Sequence, residues 1–131
     1  MKTASMALLL TMFAMTLGCG YSKKTTPPVA GTMPAIAQLS PDNTNHGGTG
    51  FNMIVNGSNF ASKATVNWNG TAQATTFVTA NQLTIAVSSA MIANAGTVQI
   101  TVTNPATAGT GLYGSGGTLA ETSSPATFTI N

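Results

Sequence analysis

Charge is nearly missing from this sequence. Arginine is absent, and Lys2, Lys23, Lys24 and Lys63 stand against only Asp42 and Glu121, so charged residues make up 5% of the chain. Soluble proteins average about a quarter. The pI near 9.0 therefore reflects a difference of two charges and marks no basic surface. Nucleic-acid binding needs a dense basic field and commonly arginine forks, which excludes that function. Groups able to do chemistry are equally scarce. Catalysis needs a nucleophile, a base and a group to orient it, and the chain has a single His, Asp, Glu and Cys. It reads as a non-enzyme, with no cofactor. Asp42-Asn43-Thr44-Asn45-His46 has an oxygen-rich spacing that suggests calcium, yet calcium sites collect several carboxylates. A structural turn is the better reading of it, and no metal site is expected. Low charge accompanies disorder only when hydrophobicity is also low. Here 43% of the residues are hydrophobic, and Thr, Asn, Ser and Gly fill most of the rest, the mix of a sheet protein with uncharged outer faces.

Long apolar runs are few. The clearest follows Lys2 and runs through Ala7, Leu8, Leu9, Leu10, Met12 and Phe13. It has the outline of an export signal over residues 1–18, too short and too weakly flanked for a membrane-spanning helix. The run ends at Thr16-Leu17-Gly18-Cys19, which resembles the bacterial lipobox, although Thr16 stands where Leu is commonest. The resemblance implies cleavage before Cys19, diacylglycerol on its thiol and an acylated new N-terminus. The alternatives are a plain secretory leader with an incidental Cys19, or an uncleaved anchor. A lone free thiol is unusual in an exported chain, which favours lipid on Cys19. Several acyl chains hold firmly where one holds only marginally. Residues 19–33 then form a lipid-attached, flexible linker, solvated and biased toward extended conformations by Pro27-Pro28. The expected location is the bacterial cell envelope, periplasmic or surface-facing, with the membrane reached through Cys19.

What the sequence does have is alternation. Phe51, Met53 and Val55 alternate with Asn52, Ile54 and Asn56, the period of a strand with one buried face. Asn56-Gly57 is expected to break that run, because Gly accepts the angles of bulges and corners. Ala64, Val66 and Trp68 form a second inward face, and Asn69-Gly70 closes it with a strong hairpin signal. An edge segment at Thr71 to Ala74 and a strand at Thr75 to Thr79 follow. Leu83, Ile85 and Val87 alternate next, and Ser88 to Ala95 reads as a crossover with Ile92 beneath the core. Val98, Ile100 and Val102 face in, as do Ala126, Phe128 and Ile130. Trp68 shares the inward face of Val66, so it packs in the core instead of stacking on a sugar.

Several phrases within this pattern occur in a fixed order: Leu39-Ser40-Pro41, Gly47-Gly48, Gly57-Ser58-Asn59-Phe60, Asn69-Gly70 and Asn104-Pro105. Together they resemble the IPT/TIG domain, a module of cell-surface proteins and transcription factors. The resemblance covers residues 34–131 and implies an all-β, immunoglobulin-like β-sandwich of about seven strands, of the early-set type. One segment departs from the family. Ala106 to Ser124 is much longer than the usual turn, and Leu112, Tyr113 and Leu119 are its only sizeable apolar residues. Loops of that length in a compact domain are usually functional or disordered. In a sandwich this loop shares an end with Ser58 to Lys63, so Tyr113, Leu112 and Phe60 are the expected partner contacts. The functional expectation is a lipid-anchored binding or scaffolding module that contacts a protein partner. A carbohydrate-binding module, with a polysaccharide partner, is the alternative. It would need a row of exposed aromatics, and only Tyr113, Phe60 and Tyr21 are on offer. A passive spacer is the third reading, disfavoured because the sequence stops at its last strand.

Overall fold

A strand whose alternate residues are apolar must bury one face, and two such sheets laid face to face satisfy each other. The computed structural model describes residues 26–110 and 116–131, and over them the chain takes this solution. Ten strands form: β1 (Ala35–Ser40), β2 (Asn43–Thr44), β3 (Phe51–Ser58), β4 (Thr65–Trp68), β5 (Thr71–Ala72), β6 (Thr75–Thr79), β7 (Gln82–Val87), β8 (Gly96–Asn104), β9 (Glu121–Thr122) and β10 (Ala126–Ile130). Three of them, β2, β5 and β9, are two-residue pairings at sheet margins. The other seven build an immunoglobulin-like sandwich. One sheet has the order β1-β3-β7-β6, and the other β2-β10-β8-β4-β5 with β9 also on β8. Among the described residues, every pairing between these strands is antiparallel except β10 with β2.

The expected inward residues are the ones buried. Met53 and Val55 on β3 face Val66 and Trp68 on β4, with Leu83, Ile85 and Val87 from β7 and Val98, Ile100 and Val102 from β8. Phe128 stands at the middle of this core, its ring centroid 5.5 Å from that of Trp68 and 6.0 Å from that of Phe51. The crossover between β7 and β8 contains one 3-10 turn, Ser89–Ile92, and its Ile92 is fully buried. Asn69 and Gly70 both have positive φ, 47° and 82°. Both angles are those of the two-residue hairpin whose twist suits the flanking strands.

Two expectations change. The strand at Phe51 does not break at Asn56-Gly57 but runs on to Ser58. Gly57 is needed for space, not for its angles: a Cβ there would collide with the Ala35 carbonyl oxygen and the tip of Phe60. The corner comes at Asn59 (φ 61°), where the chain leaves one sheet for the other. The turn at Asp42 also does more than reverse direction. Asn43 and Thr44 pair in parallel with Thr129 and Ile130, so the chain's first stretch contributes an edge to both sheets.

Candidate functional site

Four segments meet at one end of the sandwich: the approach to β1, the β3–β4 corner, the β6–β7 turn and the β8–β9 connection. Asn104 holds three of them. Period two continues from Val98, Ile100 and Val102 to this residue, so its amide points inward and is 7% exposed. The Ala61 N–H donates to its Oδ1 (2.9 Å), while its Nδ2 donates to the carbonyls of Thr32 and Asn59 (2.8 Å each). The β6–β7 turn is tied in by the N–H groups of Gly57 and Phe60, which donate to Asn81 and Ala80 (2.9 Å each).

The β8–β9 connection is expected as a loop and is partly folded. Thr107 and Thr118 form an antiparallel bridge, with their N–H groups exchanging bonds of 3.0 and 3.1 Å and their hydroxyls 2.8 Å apart. Beyond it, Glu121 and Thr122 pair with Asn104 and Thr103. Residues 123–125 then oppose only Thr101 and Val102 before Ala126 rejoins β8 opposite Ile100, a one-residue bulge. Ser123 fills it: its Oγ accepts the Val102 N–H (3.0 Å) and its own N–H donates to the Val102 carbonyl (2.8 Å). This explains why a serine is buried there.

The linker, expected to be solvated from 19 to 33, is held by this loop from Val29 onward. The Val29 N–H donates to Gly117 (3.0 Å), and the Leu119 N–H donates to Val29 (2.9 Å). Backbone groups on both segments would otherwise stay unpaired. A groove of about 190 Å³ remains between the two segments, lined by Gly31 and Thr32, by Ala61 at the corner, and by Pro105, Thr118 and Leu119. Val29, Met33 and Leu119 are more than half exposed, so the groove's surroundings are partly apolar, with the Glu121 side chain close to Gly31.

The expected site residues fare differently. Phe60 is no contact residue: it is 3% exposed and part of the core, because the corner folds its ring inward over Gly57. Tyr113, Leu112 and Cys19 lie outside the described residues. Trp68 is 8% exposed, as its inward position requires. In the Asp42–His46 stretch, the Asn43 amide donates to Asp42 Oδ1 (2.7 Å), and the His46 Nδ1 lies 2.7 Å from the Asn131 carbonyl oxygen. Among the described residues, no three His, Cys, Asp or Glu side chains converge as a metal would need. Asn104 and the Val29–Thr118 pairing were not foreseen. The alternation offered a signal for the first, a polar residue at an inward position; nothing local marks the second.

The β-sandwich, with β1 and β2 at the edges of its two sheets, and the order of its turns agree with a comparison against protein families, in which residues 34–130 match the model of the IPT/TIG domain. The chain belongs to the IPT/TIG family. Among curated protein sequences none matches the chain. IPT/TIG domains are immunoglobulin-like modules, generally non-catalytic, that commonly mediate protein–protein interactions. In this IPT/TIG domain the matched span takes in both sheets and the extended β8–β9 connection.

Proposed function

We propose that this IPT/TIG domain is a lipid-anchored binding or scaffolding module of the bacterial cell envelope, which meets a protein partner at the end where its linker and long loop pair. The observation that carries the reading is that pairing. A loop with little apolar surface of its own gains order by bonding to the linker at Val29 and Thr118, and exposed apolar Leu119 and Met33 sit beside a groove at the same end. Ordering a glycine-rich segment is entropically costly, and a binding role gives that order a use. A polysaccharide ligand fits less well, since Phe60, one of the three rings on offer for stacking on sugar, is buried. Lipid attachment is supported by the lipobox-like Thr16-Leu17-Gly18-Cys19 and the apolar leader before it.

Two measurements test the parts separately. Intact mass of the membrane-extracted protein should show cleavage before Cys19 and added acyl chains, and Cys19→Ala should leave the detergent phase or remain unprocessed. Cleavage elsewhere with a free thiol ends the lipid reading. For the partner, a photocrosslinking residue at Leu119 should capture one defined protein in intact envelopes, whereas the same residue at Gln99, at the opposite end, should not. Capture from Gln99 alone would move the contact away from the loop end.

A further inference from the structure

The segment before β1 is held at two places of unequal strength. Its inner hold is Thr32, whose carbonyl accepts the Asn104 amide (2.8 Å), two residues ahead of the fully buried Pro34. Its outer hold is Val29, which makes one parallel bridge with Thr118, outside every strand. That bridge consists of the bonds to Gly117 and Leu119 (3.0 and 2.9 Å). Residues 26–30 are all exposed, Val29 at 56%, so little apolar burial supports the outer hold. Few buried apolar contacts and exposed backbone bonds mark a segment that opens by itself, well below the free energy of global unfolding.

Between the two holds lies Gly31, and it is there for space. A Cβ on it would stand 2.5 Å from the Leu119 carbonyl oxygen and 3.0 Å from the Glu121 Cγ. The carbonyl belongs to the backbone beside the Thr107–Thr118 bridge, so it cannot swing aside as a side-chain tip can. A larger residue would keep the chain from lying against Leu119. Gly31 and Thr32 form one wall of the groove, and Thr118 and Leu119 stand on the other side. The close approach that needs a glycine is therefore the approach that shapes the groove.

Peeling the chain from Val29 to Gly31 takes away part of that wall and leaves Thr32 as the hinge. It also leaves the bonds between Thr107 and Thr118, which involve neither Val29 nor Gly31. We infer that residues 29–31 are a detachable strap that gates the groove. Docked, they complete its wall; drawn off by the chain ahead of them, they dismantle it while both sheets stay folded. As regulation of a contact, this rests on the reading of the groove as the partner's site. By linkage, an occupant that needs the wall holds the strap down as strongly as the docked strap favours the occupant. A taut tether would then release what a slack one retains.

Hydrogen exchange of the full-length chain in detergent, with no partner present, tests the strap. The Val29 and Leu119 amides should exchange together, much faster than amides in the middle of β7. Their rate should be insensitive to low denaturant, because opening exposes little surface. The Thr107 and Thr118 amides should stay protected while those two open. Gly31→Ala should abolish the protection of Val29 and Leu119 alone, and Ala30→Ser, at the exposed neighbour, should change nothing. Exchange of Val29 and Leu119 only at the rate of the β7 amides overturns the inference, as does a Gly31→Ala variant in which both stay protected. Crosslinking from Leu119 in intact envelopes tests the gate: capture should be lost in Gly31→Ala and kept in Ala30→Ser. Capture that persists in Gly31→Ala overturns the gate. A wild type that captures nothing from Leu119, with its exchange as stated, ends the partner reading and leaves the strap standing.

Discussion

Asn104 shows how much can depend on one amide. Its three bonds tie the β8 end to the corner at Ala61 and Asn59 and to the linker at Thr32, and each partner is a backbone group with no strand of its own. Removing the side chain leaves those groups unsatisfied in a partly buried setting, where an unmade bond costs about 1–3 kcal/mol. Asn104→Ala is therefore expected to lower unfolding free energy by about 2–4 kcal/mol, checked by denaturant titration. It should also speed proteolysis just before Pro34, because Thr32 loses its restraint. Asn104→Asp should recover little, since a carboxylate accepts from Ala61 but cannot donate to two carbonyls. Trp68 and Asn104 were legible by the same rule. Both follow alternate apolar residues into the core, and the rule places a side chain without regard to its polarity. Gly57 was misread because a close approach between strands leaves no trace in the neighbouring residues, whereas a turn does.

Strand faces were readable because burial repeats every second residue; the β8–β9 connection was not, because its order comes from elsewhere. Thr107, Thr118 and Val29 are far apart in sequence, and two of them are small and polar, so no period points to their pairing. That pairing divides the connection into a part that holds the fold and a part that does not. Replacing residues 108–117 with Asn-Gly, between threonines already bridged, supplies the turn such a bridge accepts. Loop length itself contributes little, about 0.6 kcal/mol per doubling. The expected outcome is a melting temperature within a few degrees of wild type, with loss of crosslinking from Leu119 if the loop makes the contact. A cut extended from Thr107 through Ser123 should melt much lower. It removes the β9 pairing, the Val29 bonds and the hydroxyl that receives the Val102 N–H. Equal melting temperatures for the two deletions would show that the bridge holds nothing.

At the scale of the molecule, the linker's last residues and the three loops occupy one end, while Asn131, bonded to His46 and Thr44, occupies the other. An anchor at Cys19 would hold the loop end toward the membrane, with the ten residues from Cys19 to Pro28 before the bonded Val29. Extended, they span at most about 35 Å. A partner that reaches the groove would then approach from the side or lie in the membrane itself. The stretch from Ala64 to Ala120, which supplies β4 to β8 and most of the loop, contains no Lys, Arg, Asp, Glu or His. Long-range attraction comes from such groups, and it is what raises encounter rates above the roughly 10⁵–10⁶ M⁻¹s⁻¹ of unguided docking. The association rate of a partner should thus stay within about twofold as salt rises from low to several times physiological ionic strength, a range over which exposed charges are screened out. Stopped-flow mixing across that range gives the answer: a rate that falls tenfold would mean that the contact lies on the charged residues outside that stretch, Lys23, Lys24, Asp42, Lys63 or Glu121. Without such guidance, the molecule finds what it binds by waiting close to it.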